Sequence, residues 1–305
     1  MKVYLNKPDE EWIVDRFWDE WYEYNQNIST KNIDDADIIW IISPWTWKKL
    51  KKRSLKNKIV VCTIHHIDFE KFDSLEKRNF YKRDKYIDSY HAISDKTKKQ
   101  IESLTDKPVT TIPFWLNNEL FFEIQNKNAL REKYNISQDE YLIGSFQRDT
   151  EGVDLISPKL SKGPDQFIEM IKKYLSTHSS LAVVLTGKRR QYIIEELNKL
   201  KIKYYYFEMT SFQELNDLYN ILDLYIVASR VEGGPQSIFE CAIIKTPIIS
   251  TDVGIAGEVL APESIYDINS NNKPKPNTEL AYKNIEKFII PKWFINFHKM
   301  FESLL

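Results

Sequence analysis

Short β-branched runs alternate with amphipathic stretches along this chain, stop, and then begin again. Residues 2–5, 38–42, 59–64, 90–93 and 109–112 read as strands, with helical segments such as 10–24 between most of them. Residues 117–138 are polar and strandless. The pattern then restarts, with strands at 141–146, 181–186, 204–207, 224–228 and 247–250 and helices at 165–174, 191–200, 212–221 and 237–244. Such alternation predicts an α/β architecture of parallel sheets covered by helices. The interruption predicts two domains, residues 1–118 and 119–290. A C-terminal helix in 291–305 is expected to fold back on the first domain. Sheets of this kind bind ligands at the carboxyl ends of their strands.

The bulk properties narrow the function. A chain of 305 residues with 29% charged and 42% hydrophobic residues has enough apolar surface for two cores. The net charge of −1 gives no overall reason to expect a nucleic-acid partner. No apolar run reaches the roughly 20 residues of a membrane span, and residues 1–8 lack a signal-peptide core. Cys62 and Cys241 sit in apolar stretches and read as buried free thiols, one disulfide being the other option. A cytoplasmic protein is expected.

The stretch from Ser229 to Glu240 carries the chemistry. Its loop holds Glu232, Gly233, Gly234 and Pro235, and then runs through Gln236 into an apolar helical segment. Ser237 is the expected N-cap, because its hydroxyl can satisfy a first-turn N–H. The loop lets Glu232 project, and Glu240 falls about one turn into the helix. The helix N-terminus between them favours an anion. Two carboxylates that accept from hydroxyls, flanking one anion site, suit a sugar joined to a nucleotide through phosphates. Arg148 at a strand end and Lys162 at a helix start are placed for those phosphates, with Lys159 a weaker competitor. Fixed cations there would stabilise a departing diphosphate without a metal.

Five ordered pieces over residues 141–260 resemble the second domain of retaining glycosyltransferases of the GT-B fold, the family-4-like group 1 enzymes. They are Gly144-Ser-Phe-Gln-Arg148, Lys162-Gly-Pro-Asp-Gln-Phe-Ile-Glu169, Leu181-Ala-Val-Val-Leu-Thr-Gly187, the two-glutamate stretch, and Pro247-Ile-Ile-Ser-Thr-Asp252 with Gly257-Glu258. In the first half, Thr63-Ile-His65, Ala92-Ile-Ser94 and Thr111-Ile-Pro113 are similar to that family's landmarks. Two features depart from it. Asn6-Lys-Pro-Asp9 stands where a glycine-rich loop often follows the first strand, and Gln147 replaces the glycine that usually precedes the arginine. The resemblance implies two Rossmann-like domains facing a central crevice. It also implies a Glu232 contact to donor-sugar hydroxyls, a Glu240 contact to the ribose, and front-side attack assisted by the leaving phosphate. Gly233, Gly234, Pro235, Gln236 and Ser237 would line the donor site.

His65 and His66 follow the third strand, and one of them is expected to face the crevice and contact the reacting sugar or move a proton. The resemblance favours His65. Asp35-Ala-Asp37 spells the acidic pair of another glycosyltransferase class, but it precedes a strand and reads as a polar turn. No metal site and no cofactor are expected. On the first long helix, Ile13, Phe17, Trp21 and Tyr24 keep core spacing. Trp12, Trp18 and Tyr22 fall on other faces, where they could line an acceptor groove or rest on a membrane beside the basic run from Lys48 to Arg53.

The sequence therefore predicts a metal-independent transferase that moves a sugar from a nucleotide-sugar donor to a glycan or lipid-linked hydroxyl, retaining configuration. A role in cell-surface polysaccharide or glycolipid synthesis is expected, with peripheral contact at the inner membrane face as an option. A sugar-nucleotide epimerase or hydrolase on the same fold is one alternative. A non-catalytic glycan-binding partner is the other.

Overall fold

The structure is a computed structural model that describes residues 1–9, 13–270 and 273–305. Glu10, Glu11 and Trp12, at the expected start of the first helix, lie outside the described residues, as do Asn271 and Asn272 of the Asn-rich loop. The chain forms two compact units, Met1–Phe114 with Pro291–Leu305, and Trp115–Ile290.

In the first unit, β1 (Val3–Leu5), β2 (Ile38–Ile41), β3 (Ile59–Ile64), β4 (Ser89–Ala92) and β5 (Val109–Thr111) form one parallel sheet in that order. Strands covered on both faces need no polar alternation, and β2, Ile38-Ile-Trp-Ile41, is buried at every position. One face packs Ile39, Ile41, Val60 and Cys62 against Trp47, Leu55 and Phe80. These come from the turn Pro44–Lys49 and from helices α2 (Lys52–Asn57) and α3 (Ser74–Asp84). Helix α4 (Asp95–Glu102) adds Ile101 to the same cluster, and its N-cap Ser94 accepts from Thr97 N.

The other face is aromatic. Trp21 of helix α1 (Ile13–Tyr24) lies fully buried with Trp40 at 5.2 Å. The C-terminal helix, Phe294–Glu302, brings Phe294 to 5.6 Å and Phe301 to 5.8 Å from the same ring. Edge-on approaches of this kind suit the ring quadrupoles. Phe17 is buried with Trp21, whereas Ile13 and Tyr24 at the helix ends are only half-buried. Tyr22 corrects the expectation of an outward face. Its hydroxyl is buried, accepts from Leu5 N at 3.1 Å and donates to Thr30 O at 2.8 Å. Trp18 is half-buried and spends its indole N–H on Leu5 O at 3.0 Å. Both rings therefore cap the carboxyl end of β1.

A histidine that the sequence did not single out sits in this layer. Trp40 Nε1 can only donate, and it does so to Thr63 Oγ1 at 2.8 Å. The Thr63 hydroxyl hydrogen is then directed to His91 Nδ1 at 2.9 Å, and His91 Nε2–H donates to Ile112 O at 2.7 Å. Burial lowers the His91 pKa to about 4 from 6.5, against a smaller pull from the Ile112 carbonyl. A depressed basic pKa means the unfolded state takes the proton first, so stability is complete above about 6.5 and drains as pH falls toward 4. Wild type should lose about 3 kcal/mol over that window relative to His91→Gln. Urea unfolding at pH 7, 5.5 and 4.5 measures this, and parallel pH profiles for the two proteins would remove His91 as the cause.

The second unit holds a six-stranded parallel sheet. Its strands are β6 (Tyr141–Ser145), β7 (Leu181–Thr186), β8 (Lys203–Phe207), β9 (Leu224–Val227), β10 (Ile248–Thr251) and β11 (Ile265–Tyr266), in the spatial order β11-β10-β9-β6-β7-β8. From β6 the chain proceeds to β7 and β8 on one side, then returns to place β9 on the other. That reversal is a topological switch point, where the flanking loops part and leave a ligand crevice. Gln147 and Arg148 follow β6 there, and Ser229 to Glu232 follow β9.

Candidate active site

Two glycines bring the switch-point loops together. Gly163 has φ +62° and precedes helix α5 (Pro164–Leu175); a Cβ there would overlap the Ala228 carbonyl at the end of β9. Only glycine combines that left-handed backbone with that closeness. Ser161 O then accepts from Arg230 N at 2.9 Å and Val231 N at 3.1 Å. Arg230 grips Asp165 of α5 with two hydrogen bonds, 2.7 and 2.6 Å long. Gly254, φ +47°, allows the loop after β10 to lie on the Gly233 carbonyl in the same way. Thr251 Oγ1 donates to Ser229 O at 2.6 Å and closes the β10 side.

These contacts put Lys162 and Glu232, 70 residues apart in sequence, into an ion pair. Their side chains are only 12% and 10% exposed. Ser229 Oγ also donates to Glu232 Oε1, at 3.3 Å. Gln147, the departure from the family glycine, has a definite task. Its amide nitrogen donates to Lys162 O at 3.1 Å and approaches Ser229 Oγ at 3.3 Å. It ties the end of β6 to Lys162 and to Ser229, whose hydroxyl donates to Glu232.

Residues 149–160 close on themselves. Thr150 bridges Pro158, Glu151 N donates to Ser157 O, and Lys159 N donates to Asp149 O at 2.7 Å. The insert thus returns Lys159 to the strand end and delivers Lys162 three residues later. Burial, and then the charges of Arg148 and Lys162, lower the Lys159 ammonium to about 8. Three cations crowd one spot, and a bound anion would relieve their repulsion. Lys159, ranked behind Arg148 and Lys162 from sequence, thus shares their electrostatic environment, with Glu232 and Glu151 acting in the opposite direction.

The base of this loop hangs on a residue the sequence reading did not select. Arg190 is fully buried, with Nε 3.2 Å from Asp149 Oδ2 and Nη2 donating to Ser145 Oγ at 3.2 Å. Its Nη1 donates to Gln147 O. Asp149 Oδ1 accepts from Tyr192 N at 3.2 Å. Burial pushes the Asp149 carboxyl up to about 6, opposed by Arg190, so the pair is charged at neutral pH.

Helix α8 follows the Glu232 loop. With helices α6 (Gln191–Lys199) and α7 (Phe212–Ile221) between, α8 spans Gln236–Ile244. Its start corrects the sequence expectation. Pro235, not Ser237, is the N-cap, and no side chain caps the helix. Proline's fixed φ, here −57°, starts the helix one residue early and leaves Ser237 inside its first turn. The Gln236 amide oxygen is buried with no hydrogen-bond partner among the described residues. Gly233 and Pro235 are buried and Gly234 is half-buried. Glu240 is buried, and its Oε2 accepts from Tyr219 Oη at 2.9 Å. Burial, with the Glu240 charge, raises the Tyr219 phenol well above its ordinary value, so it stays a donor and fixes the carboxylate.

A family match decides what these loops belong to. The profile described as Glycosyl transferases group 1 matches residues 127–289, more than half of the chain. The chain belongs to the glycosyl transferases group 1 family. It is a glycosyltransferase, and its two parallel sheets with alternating helices are the GT-B fold. Solved structures agree on that fold. Anabaena HepE in complex with UDP and glucose has a TM-score of 0.74 at 11% identity, covering 99% of both chains. The sucrose-phosphate synthase of Thermosynechococcus elongatus gives 0.72 at 14% identity, over 98% of this chain and 80% of that one. A glycosyltransferase of Rickettsia africae gives 0.64 at 16% identity, over 98% and 84%. No curated protein matches the chain significantly.

The remaining sequence candidates of this glycosyltransferase lie in its first unit. His65 Nε2 pairs with Ile42 O at 2.9 Å. Its ring sits 5.9 Å from Trp45 and 5.7 Å from Phe114. His66 is half-buried beside it. In place of a glycine loop after β1, Asn6 Nδ2 donates to Thr46 Oγ1 at 2.5 Å and Asn6 Oδ1 accepts from Ile42 N at 3.1 Å. Asp35 accepts from Asn32 Nδ2 at 2.9 Å, and Asp37 accepts from Lys2 N at 2.7 Å, so both serve the turn before β2. Among the described residues, no group of three or more His, Cys, Asp or Glu is placed to hold a metal, and no helix is long and apolar enough to cross a membrane.

Proposed function

We propose that this glycosyltransferase moves a sugar from a nucleoside-diphosphate sugar to a hydroxyl of a glycan or lipid-linked acceptor, with retention and without a metal. The observation that carries the reading is the Lys162–Glu232 pair at the switch point of the second sheet, with Arg148 and Lys159 beside it. Lys162, Arg148 and Lys159 bind the diphosphate and stabilise the charge that grows as the glycosidic bond breaks. The N-terminus of α8, which no side chain caps, adds its dipole to the same end. Glu232 accepts from donor-sugar hydroxyls, and Gly233 and Gly234 let the backbone approach the sugar. Glu240, fixed by Tyr219, accepts from the ribose. HepE, of the same fold, has been solved with UDP-glucose, which supports a donor of that class.

The cations also support retention by front-side attack. The departing phosphate oxygen they hold can take the acceptor proton as the hydroxyl attacks from the same face. The acceptor is assigned to the first unit, on the side of His65 after β3. A place in cell-surface polysaccharide or glycolipid synthesis follows from an acceptor of that kind. A screen of nucleoside diphosphates and their glucose, galactose and N-acetylglucosamine esters by thermal unfolding tests the donor half. The correct donor at a hundredfold excess over its Kd should add about 2.7 kcal/mol of stability. An unchanged melting curve with every nucleotide would defeat the reading.

A further inference from the structure

We infer that one face of the first unit docks on an anionic phospholipid bilayer. The charge of the chain is strongly uneven. Residues 45–85 carry 13 Lys and Arg against 5 Asp and Glu, whereas the other 264 residues carry 30 against 39. A protein of net charge −1 thus concentrates +8 in 41 residues.

The fold sets part of that charge on one surface. Helices α2 and α3 and the turn Pro44–Lys49 cover the same face of the first sheet, because Trp47, Leu55 and Phe80 share one core cluster. Lys48 Nζ donates to Asn79 Oδ1 at 3.3 Å and ties the turn to α3. On α3, Phe80 points inward, so Leu75, Arg78, Lys82 and Lys85, spaced at three and four residues, fall on the opposite, exposed side. Lys51, Lys52 and Arg53 are exposed at the start of α2.

Apolar side chains stand among these cations. Trp45 is 53% exposed and Leu75 57%, with Phe69 and Tyr81 also exposed nearby in the chain. A soluble polyanion needs the charges alone. A bilayer surface uses both, since lysines and arginines meet anionic head groups while tryptophan, leucine and tyrosine enter the interface. Trp45 also packs against the His65 ring, so the surface borders the strand end where the acceptor is assigned. The inference goes beyond the sugar-transfer reading and does not depend on it.

The test is co-sedimentation of the full chain with large vesicles of phosphatidylcholine, with and without 30% phosphatidylglycerol. Binding to the anionic vesicles should exceed binding to the neutral ones at least tenfold in 0.1 M NaCl and fall sharply in 0.5 M. Lys52→Glu, Arg53→Glu, Arg78→Glu and Lys82→Glu combined should abolish it while leaving the melting temperature and nucleotide response unchanged. Leu75→Ser alone should weaken it at constant salt dependence. No preference for anionic vesicles, survival of binding in the fourfold variant, or an unchanged Leu75→Ser partition would each overturn the proposal. Tighter capture by heparin than by the vesicles would do so as well, assigning the surface to a soluble polyanion.

Discussion

Glu232→Gln should lower sugar transfer by about 100- to 1,000-fold, the scale for removing one pre-organised polar group from a reacting centre. Affinity for the free nucleoside diphosphate should stay within about twofold. Lys162→Met should lower both, because in the proposed mechanism its ammonium holds the phosphates as well as the transition-state charge. The split follows from the geometry. The Lys162 ammonium is paired with Glu232, and Ser229 Oγ shares the same carboxylate oxygen. In the proposed mechanism, donor binding turns Lys162 toward phosphate and gives Glu232 to sugar hydroxyls. The amide keeps the shape and an acceptor oxygen but loses the charge-assisted hydrogen bonds. It also releases Lys162 from its internal partner, which favours the diphosphate. Initial rates with donor and acceptor, and calorimetric titration with the diphosphate, separate the two effects. Transfer at wild-type rate in Glu232→Gln would strip Glu232 of its role. Unaltered diphosphate affinity in Lys162→Met would do the same for Lys162.

Much of this arrangement could be read from the sequence because parallel strands announce themselves. In β2 and β7 every position is buried, so the apolar runs are continuous and their limits fall within a residue of the expected ones. The two-glutamate stretch was legible for a similar reason, since its glycines and proline mark a loop entering a helix. What stayed hidden depends on three-dimensional proximity. Ser237 looks like an N-cap, but Pro235 starts the helix earlier and leaves Ser237 within the first turn. Tyr22 lies off the Phe17–Trp21 stripe and so reads as outward, yet its hydroxyl finds Leu5 and Thr30. Gln147 looked like a lost glycine, and only the fold shows it bridging Lys162 and Ser229. In Lys188-Arg189-Arg190, three adjacent cations suggest a solvated loop. The turn at Arg189, φ +63°, leaves Lys188 outside and sends Arg190 fully inside.

That buried guanidinium makes Arg190→Met the substitution with the largest expected effect on stability. It should cost about 3–5 kcal/mol, the range for breaking a buried ion pair by removing one partner. The cause is less the lost attraction than the residue left behind. Asp149 is 1% exposed, and without Arg190 its carboxylate is stranded in the interior. Ser145 Oγ and Gln147 O lose a donor in the same step. Adding Asp149→Asn removes the orphaned charge, so the double variant should regain part of the stability lost in Arg190→Met. Urea unfolding of the wild type, both single variants and the double variant measures this coupling. A loss below about 1 kcal/mol in Arg190→Met, or strictly additive losses, would show that the pair does not act as a unit. The change also reaches the site. Arg190 holds the backbone of Gln147 and the side chain of Asp149, and Lys159 N bonds back to Asp149 O. Loosening that base lets Arg148, Lys159 and Lys162 spread, so nucleotide affinity should fall even under conditions where the variant remains folded.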